Sequence, residues 1–333
     1  MLEDKKASFA FLVLTYNHQN YILEHLESIK YLVITHGHNI DIDLIINDDG
    51  SKDETCSLVS RWLSYNKYLF RAVTTLFNPT NLGTCRSVDN MLAKVNADRC
   101  KITAGDDVYS FENIFELTKH SSETAMISGR VLLLFGDQIE EDRVTDLLIT
   151  STQAIYEKNS LIHRFKHFSY NNAPNLLYST ECLLDSRVRD YLRRYDVVED
   201  WPLQIAIARE FPKRRYELIE EVLVYYRRTL GSTYLVANKR FLKDKIEIYK
   251  DLIKTERNPI ERLRLRSRLA CFEINNRILK NLLNLDFYMF VSSCVFNFAK
   301  ILRRNKTQTK LKEHRLHYEK IKRCSEQFLS NSA

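Results

Sequence analysis

Short apolar runs alternate with amphipathic stretches through the first third of the chain. Phe9–Leu14 is continuously apolar, which predicts a strand buried on both faces. Tyr21–Leu32 follows with helical spacing, and Asp43–Asn47 reads as a second strand. Ser51 with Glu54 predicts a capping box that opens a helix running through Leu63. Arg71–Phe77 is a third strand, and Val88, Met91, Leu92 and Val95 recur at helical spacing behind Asn81-Leu82-Gly83-Thr84. Lys101–Ala104 is a fourth strand. This alternation predicts βαβ units and a parallel sheet. Each strand runs directly into a polar cluster: Thr15-Tyr16-Asn17, Asp48-Asp49, Asn78–Asn81 and Asp106-Asp107. In a parallel sheet such clusters share one edge, and open α/β sheets bind ligands outside the carboxyl ends of their strands.

Residues 116–235 are less regular, with strands in Ala125–Phe135, a helix around Gln204–Arg209 and a strand at Val222–Arg227. No Pro-, Gly- or Ser-rich linker separates them from residues 1–115, so the two halves read as one domain. From residue 236 to 333 the pattern is helical. The fold class is therefore α/β: a mostly parallel central sheet flanked by helices, with a helical C-terminal extension. Within that extension Leu279, Leu283, Phe287, Phe290, Val291, Cys294, Phe298 and Leu302 form one apolar stripe. The uncharged stretch Phe287–Ala299 is shorter than the ~20 residues a bilayer span needs. The stripe is read first as a face packed on the catalytic domain or a second subunit. Peripheral membrane contact is the alternative, favoured by Arg303, Arg304 and Lys306.

Composition sharpens this picture at three points. Glycine is scarce, seven residues in 333, and three of them (Gly50, Gly83, Gly105) fall in the strand-end segments, where backbone geometry demands them. The seven cysteines show no zinc spacing and no even framework, which points to a reducing compartment. The N-terminal apolar run is too short for a signal peptide, so the expected location is cytoplasmic. The net charge of +7 divides unevenly: residues 235–333 carry +13 and residues 1–234 carry −6. An acidic working domain with a basic tail for an anionic surface follows.

Several residues carry candidate chemistry, each beside a plainer role. Asp48-Asp49-Gly50-Ser51 serves equally as a turn with a helix cap or as carboxylates accepting from a nucleobase or ribose. Gly105-Asp106-Asp107 is a turn or a site for Mg2+ or Mn2+, which need one or two carboxylates plus substrate phosphates. Asn81 and Gly83 with Arg86 form a loop, or place a cation by a diphosphate. In Glu199-Asp200-Trp201-Pro202 the aspartate is a good N-cap or a catalytic carboxylate. Arg227 ends a strand. No G-x-G-x-x-G, phosphate loop, G-x-S-x-G or H-E-x-x-H is present in the sequence.

The order Thr15-Tyr16-Asn17, Asp48-Asp49-Gly50-Ser51, Asn81-Leu82-Gly83 with Arg86, Ala104-Gly105-Asp106-Asp107, Glu199-Asp200-Trp201-Pro202-Leu203 and Tyr226-Arg227 with Ser232 resembles the family 2 glycosyltransferases. These have the GT-A fold and include many bacterial capsule and O-antigen enzymes. The resemblance covers residues 7–235 and leaves the tail outside. It implies that Thr15, Tyr16 and Asn17 line the nucleobase pocket and that Asp49, beside Asp48, binds the base. Asp106 would face ribose or sugar, and Asp107 would ligate the metal. Arg86 and Arg227 would assist the diphosphate, Asp200 would be the base, and Glu199 and Trp201 would meet the acceptor. The implied reaction is inverting transfer from a nucleotide sugar to a glycan or lipid-linked glycan, at the inner face of the cytoplasmic membrane. Leu14 stands where the family has proline, and the family's spaced Asp-x-Asp is here the adjacent pair Asp106-Asp107. A nucleotidylyltransferase would need a glycine- and basic-rich loop after the first strand, which Thr15–Tyr21 lacks. A non-enzymatic nucleic-acid binder would use only the basic tail. No nucleic-acid partner is expected, and homo-oligomerisation stays open.

Overall fold

The computed structural model describes residues 6–119, 122–171, 173–228, 239–274, 276–304 and 310–332. Ser232 of the resemblance lies outside them. Four parallel strands, β1 (Ser8–Thr15), β2 (Asp41–Asp48), β3 (Ala72–Phe77) and β4 (Arg99–Ala104), form a sheet in the order β3-β2-β1-β4. Its register answers the sequence pattern directly. Thr15 pairs with Asp48, Asp48 with Phe77 and Leu14 with Ala104, so all four polar clusters leave the sheet side by side. Phe9, Ala10, Phe11, Leu12 and Val13 are fully buried, as central strands of a parallel sheet must be.

Helices α1 (Ile22–His36), α2 (Thr55–Asn66) and α3 (Thr84–Leu92) connect these strands. The predicted capping box is not formed. The Ser51 hydroxyl instead donates to Asp48 and accepts from the Asn17 N–H, and α2 begins four residues later at Thr55. A bond to the neighbouring strand end outcompetes the local cap.

The second half adds two small mixed sheets. Strands β5 (Val108–Tyr109), β7 (Leu132–Phe135), β8 (Gln138–Glu141) and β11 (Val224–Arg227) pair in the order β5-β11-β7-β8. Strands β6 (Thr124–Ser128), β9 (Leu176–Tyr178) and β10 (Arg215–Leu218) pair as β10-β6-β9. The helices used below are α4 (Arg143–Tyr156), α5 (Leu161–Lys166) and α6 (Asp200–Glu210).

The C-terminal extension consists of α7 (Lys239–Thr255), α8 (Pro259–Glu273), α9 (Arg277–Leu282), α10 (Leu285–Phe296), α11 (Phe298–Arg304) and α12 (Leu311–Ser332). It is part of the body. Ile248, Tyr249 and Leu252 of α7 join the core beneath α3 and α6. Helix α12 returns along α1, where the Tyr225 hydroxyl bonds His314 Nδ1 and His317 Nε2 lies 3.2 Å from the Tyr109 carbonyl. A third joint sits at α5, where His167 bridges Glu261 and Asp286 while Lys166 and Arg264 neutralise the same acids. The apolar stripe fails to form one packed helix. It breaks into α9, α10 and α11, with a 75° bend between the last two, and leaves most of its side chains in solvent.

Candidate active site

A cleft of about 1480 Å3 opens at the carboxyl edge of the four-stranded sheet. Thr15, Tyr16, Asn17, Asp49, Asn81, Gly83, Asp106, Asp107, Glu199, Asp200, Trp201 and Arg227 all line it. Asp49, Asp107 and Asp200, separated by 58 and 93 residues of sequence, thus face one space.

On the floor of one half, Asp49 organises the β3–α3 loop. Its Oδ1 accepts from the Leu82 N–H at 2.8 Å and Ser87 Oγ at 2.9 Å, and its Oδ2 accepts from the Gly83 N–H at 3.0 Å. Oδ2 therefore keeps a lone pair for a ligand N–H. Gly83 is required for this approach: its φ is +93°, and a Cβ there would stand 2.3 Å from Asp196 Oδ1. Asp48 does not reach the cleft. Its carboxylate is taken by Thr15 Oγ1 at 2.7 Å and by the Ser51 N–H at 2.8 Å, so it braces two strand ends. Arg86 is not among the residues that line the cleft. Cys85, Ser87, Val88 and Asp89 take the buried face of α3, which turns Arg86 outward into solvent.

The acidic turn after β4 is held from below. Asp107 is 2 % exposed, and its Oδ1 accepts the Arg227 N–H at 2.9 Å. Burial and the neighbouring Asp106 push its carboxyl well above the ordinary range. A buried Asp107 carboxyl beside the half-buried Asp106, both lining the cleft, suits a divalent cation. The Arg227 guanidinium lines the cleft but is committed: Nε donates to the Asp106 carbonyl at 2.7 Å, Nη1 to the Gly136 carbonyl at 3.1 Å, and Nη2 pairs with Glu24. Tyr318 of α12 donates to the same Glu24 carboxylate at 3.0 Å. Arg227 is thus a strut for the Asp106-Asp107 turn and lines the cleft beside it.

Glu199 and Asp200 form the opposite wall. Asp200 is the first residue of α6, and its Oδ1 accepts the Trp201 N–H at 2.8 Å. Glu199 occupies the cap position and makes no side-chain cap bond, so the N-cap reading of this segment gives way to two acids facing the cleft. Burial and then Asp200 push Glu199 up to about 8, and burial also raises Asp200. The nearby Lys245 ammonium opposes the shift of Asp200. Of the two acids, Asp200 has the nearby cation, which favours its ionised form.

Residues unmarked in the sequence complete this wall. Arg240, Phe241, Lys245, Tyr249, Arg268 and Phe272, all from α7 and α8, line the cleft. Trp201 packs edge-on to Tyr249 at 4.9 Å and donates Nε1–H to the Phe165 carbonyl at 2.7 Å. Buried Asp244 of α7 accepts from the N–H groups of Asp196, Val197 and Val198 at 2.9, 2.7 and 3.1 Å. One carboxylate oxygen thereby fixes the segment that leads into Glu199-Asp200. Arg240 pairs with Asp196 and donates to Asn81 at 2.9 Å, joining this segment to the Asp49 loop.

Comparison with known proteins agrees with this geometry. The model of glycosyl transferase family 2 matches residues 10–181. Abequosyltransferase RfbV of Salmonella typhimurium is 30% identical over 118 residues, which span 35% of this chain and 34% of that relative. Among solved structures, S. aureus TarS 1–349 in complex with UDP-GlcNAc superposes with a TM-score of 0.55 at 13% identity, over 96% of this chain and 92% of that one. The mannosyltransferase PcManGT from Pyrobaculum calidifontis, in complex with GDP-Man and Mn2+, gives 0.51 at 13% identity over 98% and 88%. At such identities these two structures share the fold, a GT-A arrangement with C-terminal helices. With more than half its length matched by the family model, and that fold around a carboxylate-lined cleft, the chain belongs to glycosyl transferase family 2.

Proposed function

We propose that the chain is an inverting glycosyltransferase that moves a sugar from a nucleoside-diphosphate sugar to a hydroxyl of a lipid-linked glycan during surface-polysaccharide synthesis. The observation that carries this reading is the meeting of Asp49, the Asp106-Asp107 pair and the Glu199-Asp200 pair on one cleft. The nucleobase lies along Tyr16 and Asn17 with its N–H on Asp49 Oδ2, and the diphosphate lies toward Asp107. Mg2+ or Mn2+ held by Asp107 would supply positive charge to the leaving diphosphate.

Asp200 takes the proton of the acceptor hydroxyl as the oxygen bonds the anomeric carbon and the bond to the phosphate oxygen breaks. Direct displacement of this kind inverts the anomeric centre and needs no covalent nucleophile. Glu199, whose proton affinity burial and Asp200 raise, can share a hydrogen bond with the incoming glycan. Trp201, Tyr249 and Phe272 give the acceptor half the aromatic surfaces that sugar rings stack on. Lys245 and Arg268 stand beside them, and the Arg268 guanidinium lies 5.0 Å from the Phe168 ring. Aromatic planes next to cations suit a glycan that ends in a phosphate, as a lipid-linked acceptor does. The link to O-antigen chemistry draws support from the likeness to an abequosyltransferase.

The test is a panel of nucleotide sugars incubated with the protein, with Mn2+ or with chelator, read by mass spectrometry and by NMR of the product anomer. Transfer from one donor with inversion and chelator sensitivity is expected. Retention of configuration, or no sugar released from any donor, would overturn the reading.

A further inference from the structure

Helices α9, α10 and α11, which carry the broken stripe, leave an exposed apolar platform made of stripe residues and their neighbours. Phe296 is 86 % exposed, Ile278 73 %, Val295 69 %, Phe298 61 % and Leu282 60 %. Soluble proteins rarely leave so many large apolar side chains together in water without a partner for them. The platform is built rather than frayed. Phe290 and Ile301 are buried, Phe290 packs on Phe168 at 4.9 Å, and Lys300 Nζ donates to the Ala154 carbonyl at 2.8 Å. Asp286 at the start of α10 pairs with Arg264 of α8 at 2.6 Å.

Charge identifies what covers it. From residue 277 to 312 the sequence carries eight Lys or Arg and a single acid, the buried Asp286; Glu157 of the body pairs with Lys300 and Arg304, while Lys280 and Arg303 are exposed on the platform's helices. A second copy of the chain would set two such basic margins against each other, which opposes self-association through this face. An anionic lipid surface answers both features, taking apolar tips into its interface and drawing basic residues to its headgroups. No single helix among the described residues is long and apolar enough to cross a membrane. The 75° bend and the buried Phe290 and Ile301 hold α10 and α11 against the body, so the platform lies on a surface. It also borders the acceptor half of the cleft. Phe168 lines the cleft and touches Phe287 of α10 at 5.6 Å, and Lys280 of α9 lies 5.9 Å from the ring of Phe272.

We infer that α9–α11 form a docking surface for an anionic phospholipid bilayer, with Val295, Phe296 and Phe298 entering the interface and the acceptor end of the cleft held at the headgroups. The inference stands apart from the transfer reaction, since docking needs neither donor nor acceptor.

The test is flotation of the full chain with vesicles of phosphatidylcholine alone or mixed with phosphatidylglycerol, at low and high salt. A variant carrying Val295→Ser, Phe296→Ser and Phe298→Ser is run beside it. These side chains are exposed, so the variant keeps its fold. The full chain is expected to float with the mixed vesicles, less so at high salt, and the variant to partition at least about tenfold more weakly. Absence of binding to mixed vesicles, or equal binding by the variant, would overturn the inference. So would light scattering that shows a dimer dissociated by the same substitutions without vesicle binding. Transfer to a water-soluble acceptor, measured separately, isolates the reaction: activity without flotation defeats docking alone, and flotation without activity defeats transfer alone.

Discussion

The two walls of the cleft are built in opposite ways. On the donor side, chemistry sits in short segments directly after strands, and the register of one parallel sheet brings Thr15, Asp48-Asp49 and Asp106-Asp107 together. On the side proposed for the acceptor, Glu199 and Asp200 depend on α7, through three N–H groups that Asp244 accepts from 46–48 residues further along the chain. The first wall is specified by local sequence and sheet geometry. The second is specified by long-range contacts. Damage to each should therefore look different.

The largest effect is expected on the donor wall. Asp107→Ala removes the carboxylate best placed for a divalent cation and should lower transfer by about 10^3-fold while abolishing metal-dependent nucleotide binding. Calorimetric titration of nucleoside diphosphate with and without Mn2+ checks it, and unchanged affinity would move the metal site elsewhere.

Asp244→Ala should break the other wall alone. Three N–H groups, two of them buried, lose their acceptor, which costs stability of about 2–3 kcal/mol, and the displaced Asp200 lowers kcat by about 10^2-fold with donor affinity kept. Asp244→Asn retains an acceptor oxygen and should restore most of the loss. Equal damage to donor affinity would erase the contrast between the walls.

A smaller effect concerns pH. Lys245 opposes the upward shift of Asp200, so Lys245→Met should raise the carboxyl's proton affinity further. Asp200 would then be protonated at higher pH, and the acid limb of kcat at saturating acceptor should move upward. A profile that stays put or moves downward would separate Lys245 from the base.

The smallest effect is a control. Arg86→Ala should change kcat and KM less than about twofold, because the side chain faces solvent on the outer face of α3. A large loss would return Arg86 to the diphosphate.

The same contrast explains what the sequence made legible. Period-two and continuous apolar runs fixed the four parallel strands to within two residues at either end, and with them the edge where the polar clusters meet. The acidic segments were readable because strand ends and their functional residues are neighbours in sequence. Asp244, Lys245 and Arg268 were not, since a charged residue on an amphipathic helix reads as a solvated face whether or not it is one. The Glu24–Arg227–Tyr318 network was hidden for the same reason, with Tyr318 donating to a residue 294 positions away. Ser51 was misplaced because a cap motif does not show the strand end that competes for its hydroxyl, and the solvent-facing Arg86 and apolar stripe because helical periodicity gives spacing but not which face turns inward.

In the proposed reaction Asp200 is the base, across the cleft from a donor site it does not help to build. Asp200→Asn measures it most directly, through donor affinity by calorimetry and transfer by single-turnover assay on the same preparation. Unchanged donor affinity is expected, with transfer reduced by about 10^3-fold; near-normal transfer, or loss of donor binding, would contradict the assignment.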